Sequence, residues 1–398
     1  MKGTILKVAL ISHEFPPFIF GGIGSHCYNL ACSLSKKGIN TTVFTGKSKK
    51  ITIEKLNNTL HVIRLPYFNF PPRVLWFQLQ NYKVLSKLLY DYDIIHIVDP
   101  TSGAICARIN KKLKKPLITT IHSIPSKCEL RNIVKSSEAD LSLGDLAFHV
   151  LEYPIMEFTS RYCLKNSNHL IFCGLYALEM TRAYLGIDIQ KTSVIYNGIR
   201  FDETKNNFSF TDTNDKNVSK IIFLGRLYSI KGITYLIRAL ALLKKDLPHF
   251  SLEIFGSGPL ERKIKKLASN LELEDKVHVR GFINNHWKLL KAIEKADVVA
   301  LPSLLEVGPF ISALECMACK KPIVAFDLPF MREFITDMQN GLLAKPYDEK
   351  DLAEKLYLLL INPELCTKLG NNAYKYVKEE HNWDILVERY TKIYEKIL

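Results

Sequence analysis

The chain has no apolar stretch near the roughly 18 residues that suggest a membrane-spanning helix. Its first apolar run, Val8 to Ile11, is short, and the polar residues His13 and Glu14 follow it closely. A signal peptide needs a longer apolar segment and a cleavage site, so this run predicts a first β-strand instead. We therefore expect a cytoplasmic protein.

The nine cysteines are unpaired in pattern. Being scattered and odd in number, they suit a reducing compartment. Cys316 and Cys319 form a CxxC, but the chain has no second CxxC that would complete a zinc site. On a predicted helix the pair is better explained by core packing, so no zinc is expected there.

Acidic residues are outnumbered: the chain has 54 Lys and Arg against 40 Asp and Glu, a formal net charge of +14. This balance suits phosphate-bearing ligands, an anionic membrane surface or nucleic acid. The sequence has no RNP, zinc-finger or basic-zipper pattern, which argues against nucleic acid. Individual lysine runs, such as Lys111 to Lys115, are typical of solvated helix faces.

The 398 residues suffice for two domains, and both halves of the chain repeat one rhythm of strand, loop and helix. This alternation predicts an α/β fold with two Rossmann-like parallel-sheet domains. We expect an N-terminal domain over 1–200, a polar linker over 201–219, a C-terminal domain over 220–382, and a last helix over 383–398 that folds back on the first domain. Since ligands bind beyond the carboxyl ends of parallel strands, the two sheets are expected to face a central cleft.

The individual elements follow from hydrophobic periodicity. The expected strands are 7–12, 40–45, 59–65, 94–98, 117–121, 169–173, 221–224, 251–255, 277–280 and 298–301. The expected helices are 26–37, 75–89, 146–164, 232–244, 259–269, 287–295, a segment starting near 311, and 383–398.

The stretch from Val298 to Glu315 carries the strongest functional signal. An apolar strand ends at Pro302, a Gly/Pro loop follows, and helical spacing begins near Ile311. Unpaired amides and the helix dipole make such a loop an anion site. Glu315 is a good acceptor for two neighbouring sugar hydroxyls. A phosphate bound by the amides and a ribose bound by Glu315 would together make a nucleotide site. The alternative is that Glu315 only stabilises the helix N-terminus.

The turn after the first strand of the second half combines cations with glycines: Gly225, Arg226, Lys231 and Gly232. Arginine offers a fork of donors, lysine a point charge, and glycine lets a ligand approach the backbone. A cationic pair at the ligand end of a strand suits a diphosphate, although an ordinary solvated loop has the same composition. We favour the diphosphate.

The early loop with Gly21, Gly22 and Gly24 resembles a dinucleotide fingerprint but lacks the GxGxxG spacing. The next strand ends near Thr45 without the acid that holds a dinucleotide ribose, which argues against a dehydrogenase. The glycines instead suit a close approach of backbone amides to a phosphate or sugar.

Asp91 and Asp93 form a DxD pattern, which chelates a metal in other enzymes, but they directly precede a strand. We expect them to cap that strand, and no metal is expected. Of the histidines placed near the carboxyl ends of strands, His13, His96 and His122, the last has the best position for a substrate hydrogen bond. A structural histidine is the alternative.

Several motifs in order resemble the retaining glycosyltransferase family 4, whose members have the GT-B fold. The motifs are Glu14-Phe-Pro-Pro17 with Gly21-Gly22, Ile195-Tyr-Asn197-Gly198, Gly225-Arg226 with Lys231-Gly232, Gly256-Ser-Gly258-Pro259, Leu314-Glu315 through Cys319 with Lys321-Pro322, and Asn340-Gly341. The resemblance covers nearly the whole chain. It implies GT-B architecture and a hexosyltransferase that uses a nucleoside-diphosphate sugar as donor and needs no further cofactor.

The resemblance also implies roles for individual residues. It places Arg226 and Lys231 at the donor diphosphate, Glu315 at the ribose, His122 at the donor sugar, Gly22 near the diphosphate, and the backbone around Phe282 and Ile283 at the base.

One departure concerns the paired glutamates of the family motif. The family usually has seven residues between them, but Glu306 and Glu315 have eight, and Val307 stands in the expected place. Either the loop carries an extra residue and Glu306 still reaches the sugar, which we favour, or the backbone from Gly308 through Pro309 to Phe310 makes that contact. A second departure is Cys173-Gly174, where the family often has a small residue and serine.

The chemistry expected from these residues is transfer to a hydroxyl of a glycan or lipid-linked acceptor. The leaving diphosphate needs cations and helix amides, and no protein nucleophile is evident, so the resemblance implies front-face attack. The segment with Arg73 and Trp76 suits peripheral contact with the inner membrane face, although a core-packed amphipathic helix explains it better. A sugar-nucleotide epimerase and a non-catalytic nucleotide-sugar binding module are the alternative functions.

Overall fold

A computed structural model describes residues 6–18, 22–66, 68, 73–122, 153–185, 191–201, 218–283, 285–306 and 310–398. These residues form two compact units. The first contains the described residues up to Arg200 together with Trp383–Leu398, and the second contains those between Phe201 and Asn382. Both units are built on largely parallel sheets flanked by helices, which confirms the predicted α/β class.

The first unit has an eight-stranded sheet in the order β3-β4-β2-β1-β5-β6-β7-β8. Its strands are β1 (Lys7–Ile11), β2 (Asn40–Ser48), β3 (Thr52–Lys55), β4 (Leu60–Pro66), β5 (Ile94–Ile97), β6 (Leu117–Ile121), β7 (His169–Phe172) and β8 (Thr192–Val194). All pairings are parallel except that β3 runs antiparallel to β4 at the edge. Every residue of β5, β6 and β7 is buried, as expected for strands covered on both faces.

The first unit's helices are Gly22–Lys36, Arg73–Leu88, Ala104–Leu113, Tyr153–Asn166, Leu175–Leu185 and Trp383–Ile397, with 3₁₀ turns at Leu89–Asp91 and Pro100–Ser102. The first helix starts four residues before the predicted position, so Gly22 and Gly24 lie in its first turn. Of the predicted helix 146–164, residues 146–152 lie outside the described part. None of the described helices is both long and apolar enough to cross a membrane.

The C-terminal helix, Trp383–Ile397, completes the core of the first unit. Trp383, Tyr390 and Tyr394 are fully buried in one apolar cluster with residues of β1 and of the helix Gly22–Lys36. The indole Nε1 of Trp383 donates to the carbonyl of Gly198 at 2.9 Å. Burying each such aromatic ring contributes about 1.5–3 kcal/mol, so this helix is an integral part of the unit.

Beside this helix, His96 on β5 is enclosed by polar partners. Its Nδ1 lies 2.7 Å from the Tyr394 hydroxyl and its Nε2 lies 2.7 Å from Thr120 Oγ1. Burial, aided by the nearby His122 and His169, lowers the pKa of His96 to about 3. The imidazole is therefore neutral in the folded protein at all but strongly acidic pH.

We expect this burial to make the protein less stable on mild acidification. Between pH 6.5 and 5 the unfolded chain binds a proton at His96 that the folded chain does not, so stability rises with pH across this window. One such histidine contributes up to about 2 kcal/mol over that interval. Chemical denaturation at several pH values measures the slope. His96→Gln, which cannot titrate, should flatten it, and an unchanged slope would contradict this account.

The second unit has a six-stranded sheet in the order β11-β10-β9-β12-β13-β14, with every pairing parallel. Its strands are β9 (Ser219–Leu224), β10 (Phe250–Phe255), β11 (Val277–Gly281), β12 (Val298–Ala300), β13 (Ile323–Phe326) and β14 (Gly341–Ala344). Its helices are Ile233–Leu243, Glu261–Asn270, His286–Glu294, Ile311–Ala318, Pro329–Arg332, Glu349–Leu360 and Pro363–Glu380, with a 3₁₀ turn at Ser229–Lys231. Because β9 and β12 are neighbours, the loops at their carboxyl ends lie side by side.

Candidate functional site

The loop after β9 is locked to the loop after β12. Gly232 has a φ of +65°, and a Cβ at this position would overlap the carbonyl oxygen of Pro302. The amide of Leu304 donates to the carbonyl of Ile230 at 2.7 Å. Only glycine both adopts this φ and leaves room for the Pro302 carbonyl at position 232. This close approach, with the hydrogen bond from Leu304 to Ile230, fixes the turn that carries Lys231.

Lys231 and Glu306 form an ion pair across these two loops. Ser303 Oγ also donates to Glu306 Oε1, at 3.1 Å, and Lys231 Nζ lies 5.2 Å from the centre of the Phe310 ring. The Lys231 and Glu306 side chains are only 16% and 14% exposed. The predicted first glutamate of the motif therefore lies against the predicted diphosphate lysine, a contact that sequence reasoning did not anticipate.

Arg226 lies on the same loop, shortly before the 3₁₀ turn that carries Lys231, and its guanidinium carbon lies 5.1 Å from the centre of the Tyr228 ring. The backbone of this loop is held by hydrogen bonds from Leu227 N to Ser257 O and from Gly225 N to Phe255 O. The two predicted diphosphate ligands thus come from one loop at the carboxyl end of β9.

Glu315 lies in the second turn of the helix Ile311–Ala318 and is 12% exposed. Its Oε1 is 2.8 Å from Nε2 of His286, the first residue of the helix His286–Glu294. His286 has no place in the motifs that the sequence suggested. His286 could have been suspected only because it comes soon after β11, at whose carboxyl end a ligand-binding loop is expected.

The other predicted donor residues of the second unit are distributed as follows. Phe310 is the N-cap residue of the helix Ile311–Ala318. Ile283 follows β11 and is half-buried, whereas its neighbour Phe282 is 70% exposed. Gly308 and Pro309 lie outside the described residues.

In the first unit, His122 directly follows β6. Its Nδ1 is 3.4 Å from Cys173 Sγ, and its ring meets that of His26 edge-on at 4.5 Å between centroids. Its Nε2 is shielded from solvent and has no well-directed hydrogen bond within the described part of the chain, although a backbone contact with Val98 acts to raise the pKa of the ring. Burial lowers the pKa of His122 to about 4, although the Asp99 and Glu14 carboxylates oppose this. The ring is therefore neutral near pH 7 and able to bond a neutral hydroxyl.

His26, His122 and Cys173 place their ligand atoms within 4.8 Å of one another, as a metal site would. Both nitrogens of His26 already have partners, however, because Nδ1 lies 3.0 Å from Asn197 Oδ1 and Nε2 lies 3.2 Å from the Tyr390 hydroxyl. Burial also raises the pKa of the Cys173 thiol strongly. The cluster is better explained as a hydrogen-bonded support for His122.

The other candidate histidines have structural surroundings. His13 Nδ1 lies 2.9 Å from the Asp99 carboxylate, and its Nε2 lies 3.5 Å from that of Glu14. Burial disfavours the imidazolium, but the two acids outweigh it and raise the pKa of His13 to about 10. His96 is bonded at both ring nitrogens and His13 lies beside two carboxylates, so His122 stays the candidate for a substrate contact among the three.

Two further predicted features occupy the first unit. Gly22 is the first residue of the helix Gly22–Lys36, where backbone amides have no intrahelical partner. Asp93 Oδ2 accepts a hydrogen bond from the amide of Lys7 at 2.9 Å, so it caps the start of β1. This contact gives the second acid of the DxD pattern a structural role.

Comparison with known proteins identifies the family. The model of glycosyltransferase family 4 matches residues 20–203, and that of the glycosyl transferases group 1 matches residues 204–376. An uncharacterized glycosyltransferase of Methanocaldococcus jannaschii is 29% identical over 98% of both chains. A poly(ribitol-phosphate) alpha-N-acetylglucosaminyltransferase of Staphylococcus aureus is 25% identical over 59% of this chain and 46% of its own.

Solved structures give the same fold. A sucrose-phosphate synthase from Thermosynechococcus elongatus superposes with a TM-score of 0.79 at 20% identity, covering 98% of this chain and 99% of the other. Anabaena HepE, solved with UDP-glucose, gives a TM-score of 0.72 at 15% identity, covering 98% and 100%. With two family models that together span most of its length, this chain belongs to glycosyltransferase family 4 and is a glycosyltransferase of GT-B fold.

Proposed function

We propose that this glycosyltransferase moves a hexose-type sugar, with retention of anomeric configuration, from a nucleoside-diphosphate sugar to a hydroxyl of a glycan or lipid-linked acceptor. The observation that carries the proposal is the group of Arg226, Lys231 and Glu315 at the carboxyl edge of one parallel sheet. Cations for a diphosphate and a carboxylate for a ribose diol occur together there. HepE, which shares the fold, has been solved with UDP-glucose.

Each unit contributes its own residues to the proposed reaction. In the second unit, Arg226 and Lys231 neutralise the charge that develops on the leaving diphosphate, Glu315 holds the ribose, and Ile283 meets the base through its backbone. In the first unit, neutral His122 bonds a hydroxyl of the donor sugar, and the amide of Gly22 approaches the diphosphate.

The proposed bond changes need no protein nucleophile. The bond between the sugar's anomeric carbon and the diphosphate oxygen breaks, and its electron pair leaves with the diphosphate. The acceptor oxygen attacks the same face of the sugar and passes its proton to the departing phosphate oxygen. Mixing the protein with a panel of sugar nucleotides, with and without glycan acceptors, tests the proposal. NMR of the first product formed should show an anomeric configuration that matches the donor, and an inverted product would overturn retention.

Metal independence is part of the proposal, because the two cations supply the charge that a divalent ion supplies elsewhere. We expect donor turnover in excess EDTA to be within about twofold of the untreated rate, since no step depends on a bound metal. Adding Mg²⁺ or Mn²⁺ back to dialysed protein is the control. Loss of activity in EDTA that either ion restores would contradict the proposal.

We place the enzyme in the cytoplasm, with peripheral contact to the inner membrane face where the acceptor is lipid-linked. The cysteines within the described residues are free, which suits a reducing compartment. The helix Arg73–Leu88 buries Phe77 and Leu85 but leaves Leu79 51% exposed. One face of this helix packs in the core, and the exposed Leu79 beside lysines on the other face supports the proposed contact with an anionic membrane surface.

A further inference from the structure

The contact between His286 and Glu315 lies outside the motif residues that define the proposed nucleotide site. The imidazole Nε2 and the carboxylate Oε1 are 2.8 Å apart, a hydrogen bond of ordinary length. The two side chains differ in surroundings, because that of Glu315 is 12% exposed and that of His286 is 66% exposed. The bond therefore joins a nearly enclosed carboxylate to a side chain at the protein surface.

The backbone fixes the position of each partner. His286 is the first residue of its helix, and the preceding Asn285 caps that helix by accepting a bond from the Lys288 amide at 3.0 Å. Glu315 projects from the helix Ile311–Ala318, which packs against the helix of His286. The helix of His286 leads from β11 to β12 and that of Glu315 from β12 to β13, so the order of strands in one sheet brings the imidazole N–H to the carboxylate.

A carboxylate has about four acceptor positions on its two oxygens. His286 takes one of them on Oε1, and no other described residue bonds this carboxylate, so Oε2 and a second position on Oε1 can accept from two neighbouring hydroxyls. Without His286 the carboxylate could rotate among several orientations, and binding a diol would restrict it to one. A carboxylate already held in its bound orientation loses less conformational entropy when the diol binds.

We propose that His286 is a positioning residue for the nucleotide: it orients the Glu315 carboxylate for the ribose diol and so favours ribonucleotides over deoxyribonucleotides. The proposal rests on the proposed function, in which Glu315 binds ribose. The contribution of this bond to folding is small, because an ion pair or hydrogen bond with one largely exposed partner adds little stability. Its effect falls on the paired contact with both ribose hydroxyls, which a 2′-deoxynucleotide cannot make.

Isothermal titration calorimetry with UDP, GDP and ADP identifies the diphosphate that the wild-type protein binds best, and its 2′-deoxy counterpart is then titrated beside it. His286→Leu keeps the approximate size but has no donor, whereas His286→Gln retains an N–H near the position of Nε2. We expect His286→Leu to weaken ribonucleotide binding about three- to tenfold, the range for one hydrogen bond to a charged group at a partly exposed site. Its binding of the deoxynucleotide, which keeps one of the two hydroxyls, should weaken less, and His286→Gln should restore most of the ribose preference.

Thermal melting of each variant verifies that it is folded. An unchanged ribose preference in His286→Leu, or tighter ribonucleotide binding by it, would overturn the proposal; the second result would make His286 a competitor of the ribose.

Glu315→Gln separates this inference from the proposed function. If Glu315→Gln binds the ribonucleotide as wild type does, or if the wild type binds no diphosphate, the proposed nucleotide site itself fails. If Glu315→Gln loses ribose preference while His286→Leu keeps it, the nucleotide site stands and only the role of His286 is wrong.

Discussion

Arg226→Ala and Lys231→Ala each lower turnover by about 10²-fold or more, the loss that follows removal of one preorganised contact to a developing anion. Both residues lie on the loop that ends β9, and Gly232 holds that loop against Pro302. The contacts strengthen as the diphosphate gains charge, so we expect kcat to fall more than affinity. Initial rates of sugar transfer at several donor concentrations measure both quantities.

The matched control is Arg280→Ala, which removes an exposed arginine that pairs with Glu253 near the end of the same sheet. Its rate should stay close to that of the wild type. Lys231→Ala also leaves the Glu306 carboxylate without its cation. Comparing Lys231→Ala/Glu306→Gln with Glu306→Gln alone separates a lost phosphate contact from an unpaired acid. Near-normal turnover in Arg226→Ala and in the double variant would remove the proposed diphosphate site.

We expect Glu306→Gln to lower turnover and Glu315→Gln to lower nucleotide affinity. Glu306→Gln should lower turnover about tenfold or more with no loss of affinity for free nucleoside diphosphate, because sugar contacts strengthen in the transition state. Since Glu306 offsets the charge of Lys231, its neutralisation leaves more positive charge for the phosphates, and affinity is unchanged or higher. Glu315→Gln should instead weaken nucleotide binding itself.

Titration with UDP and steady-state rates on the same preparations separate these results. A Glu306→Gln variant that matches wild type in both measurements would show that the first glutamate has no role in this chain. The backbone around Gly308 and Phe310 would then be the better candidate for the sugar contact. Weaker UDP binding by Glu306→Gln would contradict the counter-ion account of its pairing with Lys231.

Much of the fold could be predicted because buried parallel strands are short, continuous apolar runs. The predicted strands 94–98 and 117–121 correspond to β5 and β6 within one residue at either end. The edge strand β3 was not predicted, since its sequence Thr-Ile-Glu-Lys is mostly polar and its Ile53 is 70% exposed. An edge strand has one paired side, so hydrophobic patterning constrains it weakly.

The site was predicted less completely because its contacts join distant parts of the chain. Lys231 and Glu306 are 75 positions apart in the sequence. Their loops come together because β9 and β12 are paired in the sheet. His286 is 29 positions from Glu315 and belongs to no motif. Residue type and spacing predict which groups bear the chemistry, but the partners of those groups depend on strand order.

The C-terminal helix sets the order in which the two units can finish folding during synthesis. The first sheet is translated before the second, yet Tyr390 and Tyr394, which close its core beside His26 and His96, are made after the whole second unit. All residues of the second unit precede Trp383, so that unit can finish folding while the earlier one still waits for its final helix. A chain truncated just before Trp383 therefore has its defect in the first unit, although that unit is translated first. The apolar face that the missing helix would cover is then exposed to chaperones and proteases.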